Sequence, residues 1–475
     1  MMRTRLRQIG LLLLAMAISF LAFFQMFERT TGGFPMQYAG MLALTGVLYL
    51  ALWGLIVRFQ PYAGQSILPC VLMLTSIGTV MISRIDQSMD TSVGFRQLVW
   101  LCLALVACGL IVVFLQDYRI LRRFSYVSMV IGLALLLSPM IPGLGVEQYG
   151  ARIWLNVFGL GTIQPSEFAK LFLAFFFAAY LFDHRDQLAV GGRKVLGLQL
   201  PRIRDLGPIA VIWAVSMLVL IVQRDLGTGL MFFAMFVSML YVATGRTSWL
   251  VIGGIAGAVG AVALFGIFGH ANARLDAWLH AFDDDVYYAD YGGSYQPVNG
   301  VFGMASGGMV GTGLGQGHPT ITPFANSDFI FDSVGEEMGL VGVLAVLMLY
   351  LLVIGSGLLT ALKIKDGFGK LLACGLVFTM AFQVFTVAGG NTLVIPLTGL
   401  TMPYMAAGGS SLIANYLLAA LLIVISNAAN KPEPEISTDT FQYEALAVLR
   451  ERELKEREAR TQAIARPRSV TGGAA

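Results

Sequence analysis

The sequence predicts an all-α protein, a polytopic membrane bundle of twelve helices with one large extracytoplasmic loop. Three observations predict it. Hydrophobic residues make up 57% of the 475 residues and charged residues only 12%, where a soluble domain carries about 25% charged. The mean hydropathy is +0.74. The apolar residues form continuous runs and not alternating ones, which favours spanning helices over a β-barrel.

A spanning helix needs about 20 largely apolar residues. Such runs fall at 9–27, 39–57, 67–83, 97–115, 126–141, 167–182, 208–222, 228–244, 249–268, 339–362, 371–387 and 412–426. The first opens with Arg3, Arg5 and Arg7 and so looks like a signal peptide. It runs on into Gln25-Met26-Phe27-Glu28-Arg29 with no small-residue cleavage site, so it reads as a retained helix. The expected organisation is a bundle over 1–429, with two N-terminal helices inside 1–60 and a large outer loop at 269–338. A tail follows at 430–475. Pro432 and Pro434 end the last helix, because proline supplies no N–H to continue it. Within the tail, 444–460 alternates Glu and Arg as a solvated helix does, and 466–475 is expected to be disordered. Many transporters carry an inverted repeat; no clean repeat is visible in this sequence.

Loop charge sets the orientation. With the N-terminus in the cytoplasm, the inside segments hold Arg3, Arg5, Arg7, Arg58, Arg119, Arg122, Arg123, Arg185, Arg193, Lys194, Arg202, Arg204, Arg246, Lys363, Lys365 and Lys370. The outside segments hold only Arg29, Arg84, Arg96, Arg152, Arg224 and Arg274. This bias places both termini in the cytoplasm of a multi-pass plasma (inner) membrane protein. The net charge of +3 gives no footprint for nucleic acid. The cysteines Cys70, Cys102, Cys108 and Cys374 all lie in apolar runs and read as small buried hydrophobes. The four histidines have no ligand spacing, so no metal site is assigned to them.

The large loop collects most of the outward polar chemistry. It holds Arg274, the triplet Asp283-Asp284-Asp285, Tyr295-Gln296, a glycine-rich run over 307–317, then Asp328 and Glu336-Glu337. The glycine run matches neither the P-loop nor the dinucleotide spacing; a weak phosphate cradle and a close backbone approach explain it equally well. Pro165, Ser166 and Glu167 suit the start of a helix. Glu167 and Lys170 are three apart and share a helix face. Two readings stand there: a capped helix with a local ion pair, or an anion site at Lys170, since a lysine inside a membrane helix has a functional partner as a rule. Arg224 and Asp225 lie in a short outward turn. Asp225 either caps the next helix or reaches Lys170 inside the bundle. A Pro- and Gly-rich outer segment runs from Ile395 to Leu412 and contains Ser410 and Ser411. Non-helical backbone at that depth must be buried in protein or line a wet cavity.

In their order, Gln164-Pro165-Ser166-Glu167, Gln223 to Thr228, Asp328-Phe329-Ile330-Phe331, Glu336-Glu337-Met338-Gly339, Pro396-Leu397-Thr398-Gly399 and Gly408-Gly409-Ser410-Ser411 resemble the SEDS family (shape, elongation, division and sporulation). The likeness covers about 65 to 428, so the first two helices are an addition to the family's ten. Arg224-Asp225-Leu226-Gly227-Thr228 and the run from Tyr241 to Trp249 are most similar to elongation-type members from actinobacteria.

The resemblance implies a peptidoglycan glycosyltransferase. It would polymerise lipid II, with the growing glycan on undecaprenyl pyrophosphate as donor. It implies a class B penicillin-binding protein as partner. Matching from Arg274 to Gly293-Ser294-Tyr295-Gln296 puts the family's essential loop aspartate on Asp284, as general base. Three departures accompany the match. Asp285 stands where the family has proline after that aspartate, leaving Asp283 and Asp285 as alternatives. Ile153 stands where the family has arginine before Trp154, with Arg152 one position earlier. Arg224 stands where proline is common. The implied substrate-binding set is Arg152, Glu167, Lys170, Asp225, Arg274, Gln296, Asp328, Ser410 and Ser411.

The chemistry suits such a reaction. A sugar hydroxyl is a poor nucleophile and needs a carboxylate to accept its proton. A pyrophosphate leaving group needs cations that water does not screen. A single inverting displacement needs no covalent nucleophile. The aspartate triplet carries oxygen ligands that could hold a divalent cation, and whether one takes part is open from the sequence. A lipid II flippase and a scaffold for a penicillin-binding protein are the competing readings. The clustering of polar sites on the outer side alone weighs against the flippase.

Overall fold

The computed structural model describes residues 2–148, 151–156, 162–189, 194–195, 198–199, 211, 213–215, 217–218, 221–267, 269–289, 292–432, 450–451 and 454. Contacts divide the chain into Met1–Asn430 and Lys431–Ala475. In the second unit Arg450, Glu451 and Leu454 are helical; most of the expected tail helix and the 466–475 segment lie outside the described residues.

The first unit is a helical membrane bundle. Its elements are α1 (Met2–Thr31), α2 (Met36–Phe59), α3 (Ile67–Met89), α4 (Val93–Phe114), α5 (Ile120–Arg123), α6 (Ser125–Leu137), α7 (Pro165–Ala189), α8 (Leu226–Thr244), α9 (Ser248–Ile267), α10 (Gly269–Leu279), α11 (Asp284–Tyr287), α12 (Tyr295–Gly307), α13 (Ile330–Lys363), α14 (Gly367–Asn391) and α15 (Gly409–Asn430). Among the described residues ten helices are long and apolar enough to cross a membrane. Two of the twelve expected runs are not among them. The 126–141 run gives only the 13-residue α6 and a 3-10 turn at Ser138–Met140, where Pro139 brings no N–H to the next helical turn. The 208–222 run lies largely outside the described residues.

Burial separates the centre of the bundle from its rim. In α3 and α7, 83% of the most apolar window is buried, against 11% in α9 and 22% in α1 and in α2. α15 packs on α4, α7 and α13, and α14 packs on α7, α8 and α13. The rim helices are apolar all round, as lipid-facing helices are.

Beside the helices, the described residues hold short strands in two places. Between α6 and α7 the chain forms an antiparallel meander, β1 (Gly145–Gln148), β2 (Ala151–Asn156) and β3 (Thr162–Ile163), with Val146 opposite Trp154 and Leu155 opposite Ile163. Two further short strands, Lys194–Val195 and Leu198–Gln199, pair antiparallel. Strands this short carry too few residues for an alternating pattern to declare them.

The glycine run has a definite structural role. α13 breaks at Gly339, whose φ is +65°. The N–H groups that the break frees find partners in the glycine segment: Leu340 N–H donates to Gly308 O at 2.9 Å and Val341 N–H to Met309 O at 3.1 Å. In return Thr312 and Gly313 donate to Glu336 O and Glu337 O, both at 3.0 Å. A Cβ at Gly311 would stand 2.2 Å from Glu337 O, and one at Gly339 2.3 Å from Gly311 N. Close backbone approach explains these glycines; the hydrogen bonds of a phosphate cradle are already taken by α13.

Candidate active site

One end of the bundle, where α7, α8, α10, α13, α14 and α15 meet, brings most of the expected residues together. Glu167 and Lys170 lie in the first turns of α7, at the centre of the bundle. Lys170 is 2% exposed. Its Nζ donates to Glu167 Oε2 at 2.6 Å, Asn415 Oδ1 at 3.2 Å and Gln383 Oε1 at 3.4 Å. An ammonium has three N–H donors, and all three are engaged by protein. Gln383 and Asn415 went unnoticed in the sequence. Their signal was present, since an amide within an apolar helical run is costly without a partner.

Asp225 caps α8 by accepting Thr228 N–H at 3.0 Å, a use of aspartate that satisfies a free helix donor. Its other oxygen, Oδ2, is enclosed without a hydrogen-bond partner. Burial pushes the Asp225 carboxyl above the usual range; the Thr228 hydrogen bonds and Arg274 oppose this, and Glu167 adds repulsion. Gly227 beside it lets Thr398 O approach to 2.5 Å from where a Cβ would stand.

Arg274 projects from α10 and donates to Thr398 O at 3.1 Å. Trp278, one turn on, donates to Leu393 O at 2.9 Å. These two bonds fix α10 on the Pro- and Gly-rich segment. Arg274 lies within electrostatic reach of both Asp225 and Asp328. Burial raises the Asp328 carboxyl to about 7, with Arg274 pulling the other way. Asn391 Nδ2 donates to Asp328 O at 3.0 Å, and Asp332, one turn into α13, is buried with neither carboxylate oxygen partnered. Asp332 was not singled out from the sequence.

Ser410 and Ser411 tie the start of α15 to its surroundings. Ser410 Oγ accepts Gln164 N–H at 3.1 Å, and Ser411 Oγ lies 3.3 Å from Thr401 Oγ1. Both are buried. Arg152 stands exposed on β2, and among the described contacts it meets none of this group. Gln296 lies half-buried in the first turn of α12.

The aspartate triplet is elsewhere in character. Asp283, Asp284 and Asp285 are exposed. Asp283 precedes α11 and its Oδ2 is 3.4 Å from His280 Nδ1. The segment is stapled internally: Ser294 Oγ donates to Ala281 O at 2.5 Å, Ser294 N–H to Val286 O at 3.2 Å, and Asn299 Nδ2 to Tyr287 OH at 3.2 Å. Asp284 is therefore a solvent-facing carboxylate on a held loop. Among the described residues no three His, Cys, Asp or Glu are grouped to hold a metal ion.

Comparison with known proteins agrees with this architecture. Peptidoglycan glycosyltransferase RodA of Mycobacterium tuberculosis is 42% identical over 434 residues, covering 89% of this chain and 90% of that protein. A chain of a peptidoglycan synthase complex superposes with a TM-score of 0.62 at 26% identity, covering 78% of this chain and 99% of that one. An aspartate-to-alanine variant of the rod shape determining protein RodA from Thermus thermophilus gives 0.53 at 25% identity, covering 78% and 99%. Residues 62–431 match the family of cell cycle proteins that comprises FtsW, RodA and SpoVE, and the chain belongs to that family.

Proposed function

We propose that this chain is a peptidoglycan glycosyltransferase that polymerises lipid II into glycan strands during cell-wall elongation. The observation that carries this is its 42% identity, along nearly the whole chain, to a protein of that name. The growing strand on undecaprenyl pyrophosphate is the donor. The GlcNAc 4-hydroxyl of the incoming lipid II attacks the donor's anomeric carbon, the bond to pyrophosphate breaks, and configuration inverts. Asp284 accepts the hydroxyl proton; its exposure on a stapled loop supports the role, since a base must reach an entering substrate.

The substrate-binding set divides by burial. Arg274, Asp328, Asp225 and Gln296 are partly exposed and Arg152 is exposed; these meet substrate, with Arg274 and Arg152 opposite the pyrophosphate charge. Glu167, Lys170, Ser410 and Ser411 are buried and bound to protein; they act as positioning residues. Both termini face the cytoplasm of the inner membrane. A class B penicillin-binding protein packs its membrane helix on the late helices, with its outer domain above the large loop. Support comes from the structural likeness to a chain of a peptidoglycan synthase complex, and two successive reactions on one strand gain from tethering.

The test is purified protein in detergent supplied with lipid II and no partner. Glycan chains are the expected product. Translocation in vesicles without chains makes the protein a flippase, and neither activity makes it a scaffold.

A further inference from the structure

We propose that the N-terminal helix pair builds a site for one anionic phospholipid, its acyl chain in a cleft between α1 and α3 and its phosphate at Arg29. α1 and α2 precede the 62–431 stretch that matches the family, and they pack on α3 and α4. The packing of α1 on α3 leaves a cavity of about 230 Å³. That exceeds the ~150 Å³ apolar cavity that takes up a benzene-sized guest. Ala22, Met73, Ile77 and Val80 form its walls. At its mouth stand Ile18 and Leu21, 44% and 62% exposed. Both helices are long and apolar enough to cross a membrane, so the mouth opens on hydrocarbon, and an acyl chain restores the contacts an unfilled wall would forfeit.

The charge lies at the end of the cleft next to the glycine segment. Leu314 and Met338 roof the cavity and Gln25 lines it. Arg29 is one turn beyond Gln25 on the same helix face. Its Nη1 donates to Leu314 O at 3.5 Å and the residue is exposed. A guanidinium has five N–H donors; among the described contacts this is the one hydrogen bond Arg29 makes. Its free fork suits a phosphate oxygen pair. Glu28 is adjacent in sequence, and adjacent helical positions do not share a face. One guanidinium matches the single charge of a phosphodiester and not the larger charge of a pyrophosphate, which favours a phospholipid over a polyprenyl pyrophosphate.

The roof makes the site more than a lipid contact. Leu314 belongs to the segment whose Gly315 N–H donates to Glu337 Oε2 at 2.9 Å, and Glu337 is paired with the buried Arg84 at 3.1 Å. A chain in the cleft packs under the segment that the break in α13 requires.

The test is native mass spectrometry of the delipidated full-length protein titrated with phosphatidylglycerol, phosphatidylcholine or undecaprenyl pyrophosphate. The wild type should retain one phosphatidylglycerol about tenfold better than phosphatidylcholine, whose phosphate accepts the same hydrogen bond but whose choline cation repels Arg29 and cancels the headgroup charge. Arg29→Gln, at an exposed position, should abolish that preference. Ala22→Trp should lose both lipids, and Ile18→Trp at the mouth serves if the first fails to fold. Equal retention of the two phospholipids, an unchanged preference in Arg29→Gln, retention unaffected by filling the cleft, or a preference for undecaprenyl pyrophosphate would each overturn the proposal.

Discussion

Replacing Lys170 separates a positioning role from a direct one. Its ammonium is enclosed by Glu167, Asn415 and Gln383 at 2.6, 3.2 and 3.4 Å. Lys170→Met removes the charge and keeps much of the volume. Glu167, 6% exposed, is then left without its counter-charge. Removing one partner of a buried pair costs about 3–5 kcal/mol. At about 1.4 kcal/mol per factor of ten, the folded-to-unfolded ratio falls by roughly two to three and a half orders of magnitude. The double variant Glu167→Gln/Lys170→Met has no stranded charge, and replacing a whole buried pair is close to neutral. Thermal unfolding in detergent should show the single variant well below wild type and the double variant near it. Lipid II polymerisation is then measured on the folded fractions, and the double variant should regain most of the wild-type rate. A folded but inactive double variant would refute the positioning role and return Lys170 to the pyrophosphate. A single variant as stable as wild type would refute the energetics of the pair.

Four further outcomes are expected. Asp284→Asn should lower the polymerisation rate by about 10²–10⁴-fold, and Asp283→Asn and Asp285→Asn far less; a dead neighbour beside an active Asp284→Asn protein moves the base. Gly339→Ala, at φ +65° with its Cβ directed 2.3 Å from Gly311 N, should lose about 1–3 kcal/mol from backbone conformation alone, seen as a lower unfolding temperature; an unchanged one removes the argument for the break. Asp328, raised from 3.8 to about 7, favours its neutral form in the fold, so its contribution to stability is complete below the ordinary carboxyl pKa and is lost as pH rises through about 7. Asp328→Asn should accordingly flatten the fall in unfolding temperature between about pH 4 and 7, and an unchanged slope assigns the effect elsewhere. A reporter active only outside the cell should be silent when fused after residue 430 and active within 286–300, and the reverse pattern overturns the orientation.

The spanning helices were legible because they require only length and continuous apolarity, which are local properties. The parts that were not legible depend on partners distant in the chain. Glu167 and Lys170 announce themselves by spacing, but Gln383 and Asn415 lie 213 and 245 residues from Lys170, and no local pattern links them. The glycine run supports two readings in the sequence; the 2.2 Å from a Gly311 Cβ to Glu337 O decides for close approach. Arg84, counted as an outward loop charge, is buried in α3 and paired with Glu337, so its place in the charge bias was not its role. The meander over 145–163 was missed because its strands are held by each other and by no periodicity of their own.

The charge balance around Arg274 limits how the proposed site can take a pyrophosphate. One guanidinium faces two carboxyl groups, Asp225 and Asp328. With both ionised the three sum to one negative charge, which repels an anion. Burial has raised both carboxyls, and at about 7 Asp328 is divided between its neutral and ionised forms near neutral pH. With Asp328 neutral the group carries no net charge, and its hydroxyl becomes a donor to a phosphate oxygen. An arriving pyrophosphate stabilises that neutral form further, because a nearby like charge disfavours the carboxylate. Substrate binding at Arg274 and proton uptake at Asp328 are then one linked event, and the raised carboxyl is what makes an acidic neighbourhood compatible with an anionic substrate.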